Sequence, residues 1–198
     1  MRKTLDQLIS WTGLVMAVVL AVAGGLLIYA SSFVASNVKE QLSQQNITMP
    51  AAAALQTQEQ KDALLQYAGQ PMETGAQAKA FADHYILVHM NTSSNNKTYS
   101  EVSSEYMAAA KDPGADPAAV EALGELRQSL FMGSTLRGLL LNAYAFGTMG
   151  TIALYAGIAA LLAAALLLVL GLLGLRHAKT ADDAAVAAAA APQPVPTT

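Results

Sequence analysis

The chain has 198 residues, of which 54% are hydrophobic and 13% are charged, and it contains no cysteine. These values exclude a disulfide framework, a thiol nucleophile and a cysteine metal site, and the net charge of -3 gives no basis for nucleic-acid binding. The apolar residues are concentrated towards the two ends of the chain. This distribution indicates membrane spans rather than one large soluble core.

The first apolar run covers residues 8–34 and follows a short segment, residues 1–7, that contains Arg2 and Lys3. A secretory signal peptide also starts with basic residues, but its apolar region is only about 7 to 15 residues long. A transmembrane helix needs about 20 apolar residues. Because 8–34 is too long for a signal peptide and a second run follows, we predict an uncleaved transmembrane helix.

The segment between the two runs, residues 35–138, is polar and rich in helix signals. From position 35 to 137 it holds 7 Lys and Arg and 11 Asp and Glu, a net charge of 7 − 11 = −4. Capping residues, turn residues and helical spacing of apolar side chains predict helices over 56–68, 74–90 and 98–110 and from 117 onwards. No alternating strand pattern is present. We therefore predict a small helical domain.

Two histidines, His84 and His89, fall on the helix predicted over 74–90. A zinc site on a helix usually places its histidines four residues apart, whereas a spacing of five turns the second by about 140° from the first. We therefore predict no metal site and leave the role of either histidine open. No pair of acids and no nucleophile motif indicates catalysis, so we expect neither an enzyme nor a bound cofactor.

The second apolar run covers residues 139–175 and contains no charged residue. It ends at a basic cluster, Arg176-His-Ala-Lys179. Basic residues at the outer ends of both runs predict two cytoplasmic termini and an extracytoplasmic segment over 35–138. Both runs lack the intramembrane charges typical of ion pathways, which argues against a pump. Residues 176–198, rich in Ala and then Pro, are predicted to form a disordered cytoplasmic tail.

Small residues recur at four-residue spacing in both runs, and such a stripe lets helices pack closely in lipid. The two spans can pack on each other through it, a partner's helices can dock on it, or the spacing can reflect the abundance of alanine. The predicted packing residues are Gly13, Ala17, Ala21, Gly25, Ala156, Ala160 and Ala164.

Four residues near the start of the second run are predicted to lie at the membrane interface: Arg137, Asn142, Tyr144 and Phe146. Tyr144 and Phe146 are typical of an aromatic belt. Arg137 can meet a lipid phosphate or a partner's carboxylate, or it can simply anchor the helix at the head-group level.

Two stretches, Thr74-Gly-Ala-Gln-Ala-Lys-Ala-Phe-Ala-Asp-His-Tyr-Ile-Leu-Val-His89 and Thr135-Leu-Arg-Gly-Leu-Leu-Leu-Asn-Ala-Tyr-Ala-Phe146, resemble a family of actinobacterial proteins with two membrane spans. Tyr67-Ala-Gly-Gln70 and Lys97-Thr-Tyr-Ser-Glu-Val102 add to the resemblance, which covers most of residues 8–175. Members are mostly of unassigned function. The resemblance further implies an accessory subunit of the respiratory cytochrome bc–cytochrome oxidase supercomplex, although this chain has no c-type heme motif.

Taken together, the sequence predicts an all-α membrane protein with two transmembrane helices and a small extracytoplasmic helical domain between them. We expect a non-catalytic accessory subunit that associates with or stabilises a larger membrane complex and contacts its integral membrane subunits and lipid. The alternative is an envelope protein whose extracytoplasmic domain binds a lipid or another apolar ligand.

Overall fold

The computed structural model describes residues 2–190, and the side chains of residues 4–181. Its α-helices are α1 (Arg2–Gln44), α2 (Gln58–Leu64), α3 (Gly75–Phe81), α4 (Leu87–Ser94), α5 (Tyr99–Ala109) and α6 (Pro117–Ala190). Two 3-10 turns (Ala52–Ala54 and Leu65–Tyr67) and one π-helical turn (Ala82–Ile86) complete the helical structure. Within residues 2–190 there is no strand, only an isolated bridge between Thr48 and Pro71. The all-α prediction is confirmed for these residues.

Helices α1 and α6 are each long and apolar enough to cross a membrane. Their most apolar 18-residue windows have mean hydropathies of 2.4 and 2.8, and only 11% of each window is buried. The core helix of a soluble protein would be mostly covered by its own chain. These two helices therefore need a different apolar environment for their surfaces.

Helix α6 is longer than the sequence indicates. The predicted helix from position 117 and the run over 139–175 form one continuous helix, and neither Gly133 nor Gly138 interrupts it. The helix also continues through the first part of the predicted disordered tail, to Ala190. Alanine has the highest helix propensity of all residues, which accounts for this extension. Residues 191–198 of the predicted tail lie outside the described residues.

The chain divides into two compact units. We call Met1–Ser31 with Ile152–Thr198 the paired-helix unit, and Ser32–Thr151 the middle unit. The middle unit contains the end of α1, the start of α6 and all the shorter helices. Its apolar core consists of Leu42, Met49, Leu55, Leu64, Met72, Ala78, Ala82 and Leu140.

Reciprocal side-chain caps fix the starts of three helices in the middle unit. In each, a threonine hydroxyl accepts from the backbone N–H three residues later, and the side chain at that later position accepts from the threonine N–H. The pairs are Thr57 with Gln60, Thr74 with Gln77, and Thr98 with Glu101. The last two confirm starts predicted from the sequence.

Candidate functional site: the helix seam and the Arg137 cluster

In the paired-helix unit, α1 and α6 pack against each other through small residues spaced seven apart. We call this contact the helix seam. A seven-residue step turns a straight helix by only about 20°, so such residues stay on one face over several turns. The buried seam residues are Ser10, Ala17, Gly24 and Ser31 on α1, and Gly157, Ala164, Gly171 and Ala178 on α6.

Glycine lets the two backbones touch along the seam. A Cβ atom on Gly24 would lie 2.9 Å from the carbonyl oxygen of Gly157, and a Cβ atom on Gly157 would lie 2.9 Å from that of Gly24. At the far end, a Cβ atom on Gly174 would clash with Ser10 Oγ. That hydroxyl donates to the carbonyl oxygen of Asp6 at 2.7 Å, so this polar group is hydrogen-bonded inside the seam.

The seven predicted packing residues fall into three classes of burial in the structure. Ala17 and Ala164 are buried in the seam, with 3% and 6% of their surfaces exposed. Gly13 and Ala160 are half-buried, and Ala21, Gly25 and Ala156 are exposed. A four-residue step advances about 40° around a helix, so the predicted stripe leaves the seam after one turn. The seven-residue repeat of small residues is the sequence signal that identifies the rest of the seam.

The exposed part of the predicted stripe has free space around it. A Cβ atom on Gly25 would meet no heavy atom within 4 Å, in contrast to Gly24. Large apolar side chains nearby are equally uncovered, among them Val18 and Val22, with 62% and 59% exposed. This face of α1 is thus apolar, smooth and without a covering element among residues 4–181.

In the middle unit, Arg137 belongs to a charged cluster with Lys79 and Asp83, which we call the Arg137 cluster. Arg137 Nη2 donates to Asp83 Oδ1 at 2.8 Å, and Lys79 Nζ pairs with the other carboxylate oxygen of Asp83. Lys79 Nζ also lies 5.4 Å from the ring centroid of Tyr144, within reach of a cation–π interaction. Two of the predicted interfacial residues, Arg137 and Tyr144, are therefore linked through Asp83 and Lys79.

Asp83 is the least exposed member of the Arg137 cluster, with 18% of its side chain accessible. Burial raises the pKa of Asp83, but the hydrogen bonds and charges of Lys79 and Arg137 outweigh this effect and lower the pKa below its ordinary value. Asp83 stands in the π-helical turn, a rare geometry that recurs at functional positions. In this turn, the His84 carbonyl oxygen accepts a hydrogen bond from the buried Gln60 Nε2 at 3.2 Å.

The Arg137 cluster joins the two longest stretches that carry the family resemblance. At one end, a Cβ atom on Gly75 would lie 2.9 Å from both the Ala143 carbonyl oxygen and Tyr144 Cα. At the other, a Cβ atom on Gly133 would lie 2.8 Å from Met90 Sδ. Residues 75–90 therefore run antiparallel to the segment of α6 that contains Arg137.

The other interfacial residues lie on a different face of α6. Asn142 and Phe146 line a groove of about 470 Å³ in the middle unit, opposite the end of α1. Both side chains are exposed, and Phe146 has 56% of its surface accessible. Tyr144 does not line this groove and instead faces Lys79.

The two histidines have separate environments. His84 Nδ1 lies 3.2 Å from Glu59 Oε1, whereas His89 Nδ1 lies 2.7 Å from the Tyr85 carbonyl oxygen and its ring packs on that of Tyr85. Within residues 4–181, no three His, Cys, Asp or Glu side chains form a group that could hold a metal ion. His84 thus lies beside α2, and the contacts of His89 run from the π-helical turn into α4.

No family model matches the chain, and neither a curated protein nor a solved structure matches it. The described geometry offers packing faces, a charged cluster that ties two helices together, and a groove. The open face and the groove are uncovered apolar surfaces, whereas the charged cluster holds parts of the middle unit together.

Proposed function

We propose that this chain is a non-catalytic accessory subunit of a larger membrane complex. The observation that carries the proposal is the open face of α1 around Gly25, Val18 and Val22, which lies beside the helix seam but takes no part in it. Two helices that had only to pack on each other would need the seam alone. A second smooth face supports docking of a partner's transmembrane helices.

In this proposal, α1 and α6 span the membrane once each and the middle unit lies on the extracytoplasmic side. Basic residues in the sequence at positions 2 and 3 and at Arg176 and Lys179 support two cytoplasmic termini. The net charge of −4 over positions 35–137 would influence the approach of charged partners to the middle unit.

The partner complex that we propose is the actinobacterial respiratory supercomplex, with cytochrome bc and cytochrome oxidase subunits as contacts. The family resemblance of residues 74–89 and 135–146 supports this assignment, as do the small size of the chain and its two apolar helices. The chain would contribute buried apolar area and close helix packing to the complex, and no redox group of its own.

The docking face can be tested with a pair of variants in native membranes. Gly25→Leu, alone and combined with Ala21→Leu, fills the open face, and we expect the tagged chain to move from a high-mass complex to low-mass fractions on native gels. The matched control, Val18→Leu with Val22→Leu, adds little bulk to side chains that are already large, and we expect it to keep the complex. If the glycine variants still migrate entirely in the complex, docking through this face is wrong.

A further inference from the structure

The groove that Asn142 and Phe146 line is formed entirely by the middle unit. One wall is the end of α1 and the other is a short part of α6. Its volume of about 470 Å³ is within the range of small-molecule sites, roughly 300–1,000 Å³. The lining residues are Phe33, Val34, Asn37, Val38, Gln41, Leu42, Gln45, Leu139, Asn142, Ala143 and Phe146.

The lining combines apolar groups with amides and contains no charged side chain. A stripe at four-residue spacing begins with Phe33 and continues with three amides, Asn37 and Gln41 on α1 and Gln45 directly after its end. Asn142 adds a fourth amide from α6. Amides both donate and accept hydrogen bonds, so they suit hydroxyl and carbonyl oxygens. The nearby Lys39 does not line the groove and pairs with Glu73 at 2.9 Å.

The apolar end of the groove adjoins the two apolar runs. Phe33 lies at the end of the first run and Phe146 lies within the second, and both rings are more than half exposed, at 59% and 56%. From Phe33 to Gln41, α1 rises by about 12 Å at 1.5 Å per residue. A ligand along this wall would keep its apolar part at the phenyl rings and its polar part at the amides.

The absence of a lining cation disfavours a phosphate-bearing head. We propose that the groove binds an uncharged acylglycerol lipid, with an acyl chain against Phe33 and Phe146 and its hydroxyl and ester oxygens at Asn37, Gln41 and Asn142.

This inference rests on the membrane placement of α1 and α6 but not on a partner complex. The alternative interpretation of the sequence is an apolar ligand bound by the segment between the two runs. The groove suggests where such a ligand would bind and to which chemical class it would belong. Lipid binding here would also cover exposed apolar surface on the chain when no partner is bound.

The test uses the full-length protein in phospholipid nanodiscs that contain a diacylglycerol with a photoreactive group on its acyl chain. We expect crosslinks to concentrate in the peptides that contain Phe33 and Phe146. Asn142→Phe fills the groove at an exposed position and should lower this labelling about tenfold, the effect of losing roughly one hydrogen bond's free energy. Ala145→Phe, which adds a ring at an exposed position outside the groove lining, should leave the labelling unchanged.

Three results would overturn the proposal: labelling that Asn142→Phe does not change, stronger labelling by a matched phosphatidylglycerol probe, or crosslinks between two copies of the chain at these peptides. If the chain labels poorly at the groove yet co-purifies with partner subunits, the accessory function survives and the lipid site does not. If the chain fails to enter membranes at all, both proposals are wrong.

Discussion

Gly24 and Gly157 face each other so closely that a Cβ atom on either would lie 2.9 Å from the carbonyl oxygen of the other. Real Cβ atoms essentially never make such a contact, and backbone cannot move aside as a flexible side chain can. The neighbouring Gly25 has nothing within 4 Å of its Cβ position. Of these two adjacent glycines, Gly25 has room for a larger side chain and Gly24 does not. This difference makes the seam testable.

We expect Gly24→Ala to lower the stability of the helix pair by about 1–3 kcal/mol, the usual cost of overpacking a close contact. The measurement is the thermal midpoint of the helical circular-dichroism signal in detergent micelles. Gly25→Ala is the matched control and should keep or raise the midpoint, because alanine favours helix over glycine. Equal midpoints for the two variants would show that the backbones do not touch at Gly24.

The contact of α3 with α6 gives a second glycine comparison. Gly75→Ala would place a Cβ atom 2.9 Å from backbone atoms of Ala143 and Tyr144, and we expect a loss of about 1–3 kcal/mol. Gly138→Ala meets open space within a helix and should stabilise the protein by up to about 1 kcal/mol. Limited proteolysis of the middle unit reports both effects, and faster cleavage of the Gly138 variant would contradict this account.

Asp83 holds two cations, so its removal should destabilise the middle unit. In Asp83→Asn, Arg137 loses its charged partner while two thirds of its side chain stays covered, and its buried Nε has no hydrogen-bond partner among the described residues. We expect a loss of about 1.5–3 kcal/mol, the contribution of hydrogen bonds to charged groups.

The control for this variant is the exposed pair of Lys97 and Glu105, whose side chains are 46% and 43% accessible. Solvent screens such a pair, so Glu105→Gln should cost less than about 1 kcal/mol. Denaturant unfolding of both variants provides the comparison. A larger loss for Glu105→Gln than for Asp83→Asn would refute the importance of the Arg137 cluster.

The lowered pKa of Asp83 predicts a pH dependence of stability. Between its native value and its unfolded value of about 3.9, the unfolded chain binds more protons, so stability rises with pH. The contribution is complete above the unfolded pKa and disappears as the pH falls through the native pKa. The stability difference between wild type and Asp83→Asn should therefore shrink as the pH drops below about 4, and a constant difference would exclude this mechanism.

The sequence predicts features that depend on local spacing and misses those that depend on distant contacts. Capping at Thr74 and Thr98 involves residues three apart, and the two apolar runs are evident from composition alone. The π-helical turn at Ala82–Ile86 has no comparable local signal. A helix tolerates isolated glycines, so the sequence does not mark an interruption at Gly133 or Gly138, and α6 continues through both.

The seam and the groove show why the packing residues were only partly predictable. Of the seam residues, the predicted four-residue stripe includes only Ala17 and Ala164. A four-residue step advances about 40° around the helix, so the stripe soon leaves the seam. Gly24 and Gly157 each belong to a seven-residue repeat of small residues. They can be matched as partners only when the repeats of the two helices are compared. The groove pairs Asn37 with Asn142, more than a hundred positions apart, and nothing in either local sequence indicates that partner.

Affinity purification of the chain from native membranes, through a tag on its C-terminal end and in a mild detergent, tests the central claim most directly. The accessory-subunit account predicts heme absorption in the purified material, together with cytochrome bc and cytochrome oxidase subunits in fixed stoichiometry with the tagged chain. Recovery of the chain alone, with those subunits only at the level of an untagged control, would contradict the account.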